Sequence, residues 1–229
     1  MSPTDRPLAD LRVLDLTDGL GDLCGRLLAD FGADVLRIEP SAGVASRRRA
    51  PFGPDGSSLH FAVRNANKRS TVLDLQDPTT EADREAFLAL VAEADVVVES
   101  WAPGTLDDLG LGPDVLLGAN PDLIVASLTG FGQTGPDRDL VFTDDVVFAL
   151  SGWQALSGVP DKPPLLLPGS IASDTVGILG AYAVLVALVH RGRGAGGQHL
   201  DVSALEAVAQ MNTWGLASTS DTIRRGSTP

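Results

Sequence analysis

Residues 11–39 hold the pattern that most constrains this chain. An apolar run, Leu11 to Leu16, leads into Asp22 to Asp30, and there Leu23, Leu27, Leu28 and Phe31 recur at helical spacing. Gly32 supplies a helix stop, and Ala33 to Glu39 reads as a second buried strand. Two short buried strands joined by one helix predict a parallel pair with a right-handed crossover. The alternation continues. Strands are predicted at 70–75, 95–99, 122–128 and 198–202. Asp77-Pro78 is read as a helix opening, since Asp suits the N-cap and Pro the first turn. That helix is predicted to run to about Ala94, with Phe87, Leu90, Val91 and Ala94 as its inner stripe. Further helices are predicted near 112–119, 144–150, 174–191 and 204–217. Residues 41–69 read as loop-rich and carry most of the local positive charge, Gly130 to Pro136 is a turn-rich loop, and Gly192 to Gly197 is a tight turn. Strands alternating with helices define the expected fold class: α/β, doubly wound, with a mostly parallel, Rossmann-like sheet.

The 229 residues suffice for one sizeable core and a linker. Residues 1–203 are read as one large domain, and 204–229 as a helix and linker leading toward a smaller one. The stripe Leu205, Val208, Met211 and Trp214 on that last helix asks for a partner surface. A net charge of −13 repels nucleic-acid backbones and anionic membrane surfaces, so neither is an expected partner. The apolar run from Thr175 to Val189 is broken by Gly177 and Gly180 and is shorter than a bilayer requires, so it reads as a buried core helix. Cys24 is the only cysteine, which rules out an internal disulfide and a cysteine-based metal cluster and fits a cytoplasmic location. The N-terminus is polar, with no signal-peptide core. His60, His190 and His199 stand at no metal-ligand spacing and read as surface or loop histidines.

Gly19-Leu20-Gly21 follows the first strand, and Glu39 closes the second, part of a dinucleotide-binding fingerprint. The third glycine position holds Cys24, and Asp22 at the helix start would repel a phosphate. A plain strand-to-helix turn is therefore the expected reading. Arg47-Arg48-Arg49 reads as solvated loop or as a phosphate contact. Asp174, ahead of the most apolar helix, has two readings. It suits an N-cap, where Asp is favoured and the helix dipole helps it. It also suits a carboxylate nucleophile at a helix start flanked by glycines, where a ligand can approach closely. Gly169, Gly177 and Gly180 are read as positions where a ligand can approach the backbone closely.

Eight collinear segments resemble class III CoA-transferases, the family of formyl-CoA transferase, carnitine CoA-transferase and alpha-methylacyl-CoA racemase. They are LADLRVLDLT (8–17), LLADFGADVLRIEP (27–40), NANKRSTVLDL (65–75), ADVVVESWAPGTLDDLGLG (94–112), NPDLIVASLTGFGQTGP (120–136), ALSG (149–152), GSIASDTVGILGAYA (169–183) and GRGAGGQHLDVSALEA (192–207). The resemblance implies that Asp174 is the catalytic aspartate, attacking an acyl-CoA thioester and then carrying CoA as an aspartyl thioester. It implies that Leu73, Asp74, Leu75 and Gln76, with Ser100, Trp101 and Ala102, line the CoA site, Trp101 suiting the adenine face. Acyl-CoA and a small carboxylic acid are the implied substrates, without metal or prosthetic group. Members of the family continue through a small domain and interlock as dimers, so a homodimer or a complex with a second half is expected. The same fold implies two alternatives: an acyl-CoA racemase, or a non-catalytic partner subunit. Racemases of the family place a histidine where Thr143 stands, and Gly21-Asp22-Leu23 replaces the family's Ala-Gly-Pro step.

Overall fold

The computed structural model describes residues 6–77, 79–159, 162–213 and 215. Six strands form one sheet: β1 (Arg12–Leu16), β2 (Asp34–Glu39), β3 (Arg69–Val72), β4 (Val96–Glu99), β5 (Ile124–Thr129) and β6 (Gln198–Ser203). Their spatial order is β3-β2-β1-β4-β5-β6, and every neighbouring pair is parallel. Val13 on β1 is in register with Val35 on one side and Val96 on the other. The chain thus winds outward in one direction from β1 and then in the other from β4. That reversal leaves a crevice beyond the carboxyl ends of β1 and β4, where open sheets of this type bind ligands.

Helices cover both faces, which explains why the central strands are rich in apolar residues on both sides. On one face Val13, Val35, Val96, Val98, Ile124 and Leu128 pack with α1 (Asp22–Asp30), α6 (Asp144–Leu150), α7 (Ile171–His190) and α8 (Ala204–Met211). On the other, Leu14, Leu16, Val97 and Val125 pack with α3 (Glu81–Val91) and α5 (Pro113–Ala119) and with the one-turn α4 (Thr105–Asp108). Phe87 and Val91 of α3 are wholly buried there, a burial that contributes about 1.5–3 kcal/mol for each side chain.

Several boundaries differ from the sequence reading, each for a local reason. The segment 41–69 is not all loop: it holds a 3-10 turn (Ala45–Arg48) and α2 (Leu59–Arg64). The first helix after β3 starts at Glu81 rather than Asp77, because the Asp77 carboxylate accepts from the Thr79 N–H and hydroxyl and closes a local turn first. Pro78 lies outside the described residues. α7 begins at Ile171, and a π turn (Arg191–Ala195) continues it, with Gly194 in left-handed backbone at φ +89° ending the run. Gly177 and Gly180 are buried packing positions. A Cβ at Gly177 would lie 2.9 Å from Leu23 Cβ, and one at Gly180 would collide with Leu128. They let α7 close onto α1 and β5 and do not open toward a ligand.

The α8 stripe finds its partner inside the chain. Val208, Ala204 and Ala207 are buried, and α8 packs on α6 and α7, leaving Met211 half exposed. Trp214 lies outside the described residues. Exposed apolar surface instead runs along α7, where Ile178, Tyr182, Val186 and Val189 recur on one side and each is more than half exposed. That helix is long and apolar enough to cross a membrane by length and composition, yet its other side is packed in the core.

Candidate active site

Three clefts meet at the carboxyl ends of the strands. The first, about 260 Å³, is lined by Leu16, Ile38, Pro40 and Val44 together with Leu73, Asp74, Leu75, Gln76 and Trp101. The chain leaving β3 and the chain leaving β4 form its opposite walls, so two distant sequence segments are brought together. Asp74 stiffens one wall: its carboxylate accepts from the Ser41 N–H at 2.9 Å, and its own N–H donates to Asp83 at 2.8 Å. Leu73 and Trp101 rest on the second core. Ser100 and Ala102 line the second cleft, with Trp101, Leu20, Thr129 and Arg138. The third is lined by Gly19, Leu20, Arg49, Phe142, Thr143, Asp144, Gly169 and Ser173.

Asp18 borders all three, so they are neighbours around one side chain. The Asp18 N–H donates to Ser100 Oγ at 3.1 Å, and its carboxylate accepts from the N–H groups of Ala45 and Ser46, each at 2.9 Å. One side chain thereby fixes the loop that walls the first cleft. Of the basic run, Arg47 is tied to Glu39 and lies 4.0 Å over the Phe61 ring, and Arg48 donates to the Ala42 carbonyl. Arg49 is exposed and lines the third cleft.

Asp174 follows Ser173 in α7 and is not itself among the residues that line the three clefts. The N-cap of α7 is Ser170, so Asp174 lies one turn inside the helix and does not cap it. Asp144 reaches across from α6 to serve the helix start, accepting from the Ser173 N–H and hydroxyl, both at 3.0 Å. The Asp174 carboxylate is instead gripped by Arg64, the last residue of α2. Nε donates to Oδ1 at 3.0 Å and Nη2 to Oδ2 at 2.7 Å. The aspartate side chain is 36% exposed and the arginine 15%. Nothing in the sequence pattern flagged Arg64, because it lies 110 residues from its partner.

Thr143 caps α6, its hydroxyl accepting from the Val146 N–H at 3.1 Å. His60 is no simple surface histidine. It sits on α2, both ring nitrogens are shielded without a hydrogen-bond partner, and burial, Arg64 and Arg49 lower its pKa against the pull of Asp22 and Asp174. His199 is an exposed residue of β6, its Nε2 2.9 Å from Ser127 Oγ. Among the described residues no cluster of three or more His, Cys, Asp or Glu could hold a metal ion.

The profile of CoA-transferase family III matches residues 8–228. The chain belongs to that family. The succinyl-CoA–D-citramalate CoA-transferase of Chloroflexus aurantiacus is 40% identical over 205 residues, covering 89% of this chain and 50% of that protein. The succinyl-CoA–L-malate CoA-transferase beta subunit of the same organism is 41% identical over 209 residues, 90% of this chain and 51% of its own length. The chain spans about half the length of these curated relatives. The crystal structure of a CAIB/BAIF family protein from Brucella suis superposes with a TM-score of 0.88 at 33% identity, over 98% of this chain and 59% of that one.

In this family III chain the altered glycine step does not place a charge in the ligand's path. Asp22 is fully buried and turns inward, accepting from Thr17 Oγ1 at 2.8 Å, Arg37 Nη1 at 3.1 Å and Asn65 Nδ2 at 3.3 Å. Lys68 joins the same network, with Nζ 2.6 Å from Asp15 and 2.7 Å from both the Asp22 carbonyl and Asn65 Oδ1. The Asn65 and Lys68 of NANKRS thus hold the network under α1. Glu39 is equally committed. Burial pushes its carboxyl up, but donors from Arg47 and Ser70, with Arg37 behind, hold it down at about 2. A carboxylate so occupied is not free for a ribose hydroxyl, which removes the dinucleotide reading.

Glu99, at the end of β4, is a buried carboxyl that the sequence did not reveal, and it lines a separate cleft with Ala102, Ser127 and His199. It is 2% exposed, and Oε2 accepts from the Trp101 N–H at 2.7 Å. Burial raises its pKa from 4.5 to about 7; the Ser127 and Trp101 hydrogen bonds oppose this, while Asp201 and Asp107 add to it. Between those two values the folded chain holds a proton that the unfolded chain releases. The contribution is therefore complete below about pH 4.5 and is lost as pH rises through about 7, on the order of 3 kcal/mol. Glu99→Gln should flatten that part of the profile. Urea midpoints of both proteins at pH 5 and pH 8 would show it, and equal slopes would contradict it.

Proposed function

We propose that this chain is the nucleophile-bearing part of a CoA-transferase that exchanges CoA between an acyl-CoA and a small carboxylic acid. The observation that carries the reading is a row of three clefts that share Asp18. The row runs from Leu73, Asp74, Leu75, Gln76 and Trp101, past Ser100 and Ala102, to Gly169 and Ser173, the residue before Asp174, whose side chain is 36% exposed. CoA lies along it, the adenine against Trp101 and the thioester toward α7. The Asp174 carboxylate attacks the thioester carbonyl; the C–S bond breaks and CoA leaves as thiolate. The thiolate attacks the aspartyl carbonyl of the resulting anhydride, releasing the donor acid as its carboxylate and leaving an aspartyl-CoA thioester. The acceptor carboxylate attacks that thioester, and thiolate leaves again. It then attacks the acceptor's own carbonyl in the new anhydride, giving the new acyl-CoA and free Asp174. This sequence calls for no redox cofactor or metal. The names of the relatives, which carry succinyl-CoA, citramalate and malate, favour dicarboxylic acids.

Residues 204–229 lead toward a smaller second domain, and the protein works in the cytoplasm as a homodimer or with a second half. The exposed stripe of Ile178, Tyr182, Val186 and Val189 supports such an assembly, since apolar patches of this kind mark interfaces. Asp22, held inward by Arg37, gives no support to a non-catalytic subunit. The test is exchange of radiolabelled succinate into succinyl-CoA by the chain, alone and with a candidate second polypeptide. Labelled succinyl-CoA is expected; no exchange in either case would overturn the reading.

Racemisation is not expected. It needs a base at the α-carbon, and the Thr143 hydroxyl is both a poor base and occupied as a cap. In deuterated water, 2-methylacyl-CoA should gain no enzyme-dependent deuterium at that carbon, and its appearance would restore the racemase reading.

A further inference from the structure

We propose that Arg64 is the receiving site for the acceptor's carboxylate, and that it becomes free only when Asp174 carries CoA; this rests on the covalent reading of Asp174. The neighbouring cations Arg37, Lys68 and Arg47 each have more than one partner. Arg37 serves Asp22, Asn65 and the Thr17 carbonyl, Lys68 serves Asp15, Asn65 and the Asp22 carbonyl, and Arg47 meets Glu39 and the Phe61 ring. Arg64 differs. Among the described residues its guanidinium has one hydrogen-bonding partner, the Asp174 carboxylate, held through two parallel bonds.

That partner is the group whose charge the reaction removes. Asp174 is an anion in the resting protein and neutral as an anhydride or thioester. At that moment a guanidinium only 15% exposed is left without its counter-ion. Its planar fork matches any carboxylate in the same two-bond geometry. The first carboxylate to arrive is then held beside the thioester carbonyl it must attack. The donor acid leaving the first half of the exchange meets the same fork, so one arginine serves both directions. In the resting state Asp174 fills the fork itself, which keeps the acceptor out until acyl-CoA has reacted. Arg49 lines the third cleft with Gly169 and Ser173 and, like Arg64, lies near enough to His60 to lower its pKa, so it offers a second cation nearby for the far carboxylate of a dicarboxylic acid.

The test uses succinate as probe and needs no turnover. Asp174→Asn keeps the shape of the side chain and removes the charge, as the thioester does. Calorimetric titration should show succinate binding to Asp174→Asn at least about tenfold tighter than to wild type, the gain expected of a freed charge-assisted fork. Adding Arg64→Gln should abolish that gain, and adding Arg64→Lys should keep only part of it. If Asp174→Asn does not fold, Asp174→Ser carries the same comparison. Equal affinity in wild type and the Asp174 variant, or a gain that survives Arg64→Gln, would overturn the proposal. Mass analysis of wild type after acyl-CoA treatment reads the covalent mechanism separately. An adduct without the succinate gain sinks this inference alone, and a gain without an adduct sinks the covalent reading on which its timing depends.

Discussion

Asp174→Asn is expected to leave the fold in place and to lower CoA transfer by about a thousandfold or more. The two effects separate because of where the residue stands. Asp174 is one turn inside α7, and its backbone N–H still donates to the Ser170 carbonyl at 2.8 Å whatever the side chain. Asn retains one oxygen for Arg64. Arg64 is mostly buried and Asp174 is partly exposed, so losing the charge should lower stability by about 1–2 kcal/mol, too little to unfold the chain. Chemistry is another matter, since an amide oxygen forms neither an anhydride nor a thioester under these conditions. Near-ultraviolet circular dichroism and a thermal melt report the fold, and succinate exchange reports the activity. A variant that folds and keeps more than a tenth of the wild-type rate would show that Asp174 has only a structural task.

Arg37→Leu should produce the largest loss of stability, about 3–5 kcal/mol. Arg37 is 1% exposed and sits among three carboxylates, 3.1 Å from Asp22, 3.8 Å from Glu39 and 4.0 Å from Asp15. Its removal leaves Lys68 and Arg47 to balance three buried anions and strips donors from Asp22, Asn65 and the Thr17 carbonyl. Arg37→Lys should fall between, because it restores the charge without the fork. Urea unfolding near pH 7 measures both, and a loss for Arg37→Leu below about 1 kcal/mol, the range of surface pairs, would show that the network is not a structural element.

The sheet was legible because its chemistry is local. A strand buried on both faces is mostly apolar, so VLDL, VLRI and VVVE stand out even though each carries one buried charged residue, Asp15, Arg37 and Glu99, and Gly32 marks the helix stop between the first two. α2 was not legible, since none of its six residues is buried and no periodic stripe results. Asp77 misled because an Asp before Pro suits a helix start and a local turn equally well, and the side-chain bonds to Thr79 decide between them. Gly177 and Gly180 misled because a glycine that admits a ligand and one that admits a neighbouring helix look the same in sequence.

The candidate site divides along similar lines. Resemblance, not periodicity, pointed to Leu73, Asp74, Leu75, Gln76 and Trp101, which the fold gathers around one cleft. Asp174 could be singled out from its place ahead of an apolar helix. Arg64 could not, and neither could the inward turn of Asp22, because each depends on a contact between segments far apart in the chain.

The account stands most directly on whether Asp174 becomes joined to CoA. Wild type incubated with succinyl-CoA, without acceptor and with any partner that transfer requires, should gain the mass of CoA in an intact-protein spectrum. Hydroxylamine should remove it, and peptide mapping should locate it on Asp174. No adduct under conditions that support exchange, or an adduct that persists in Asp174→Asn, would contradict the account.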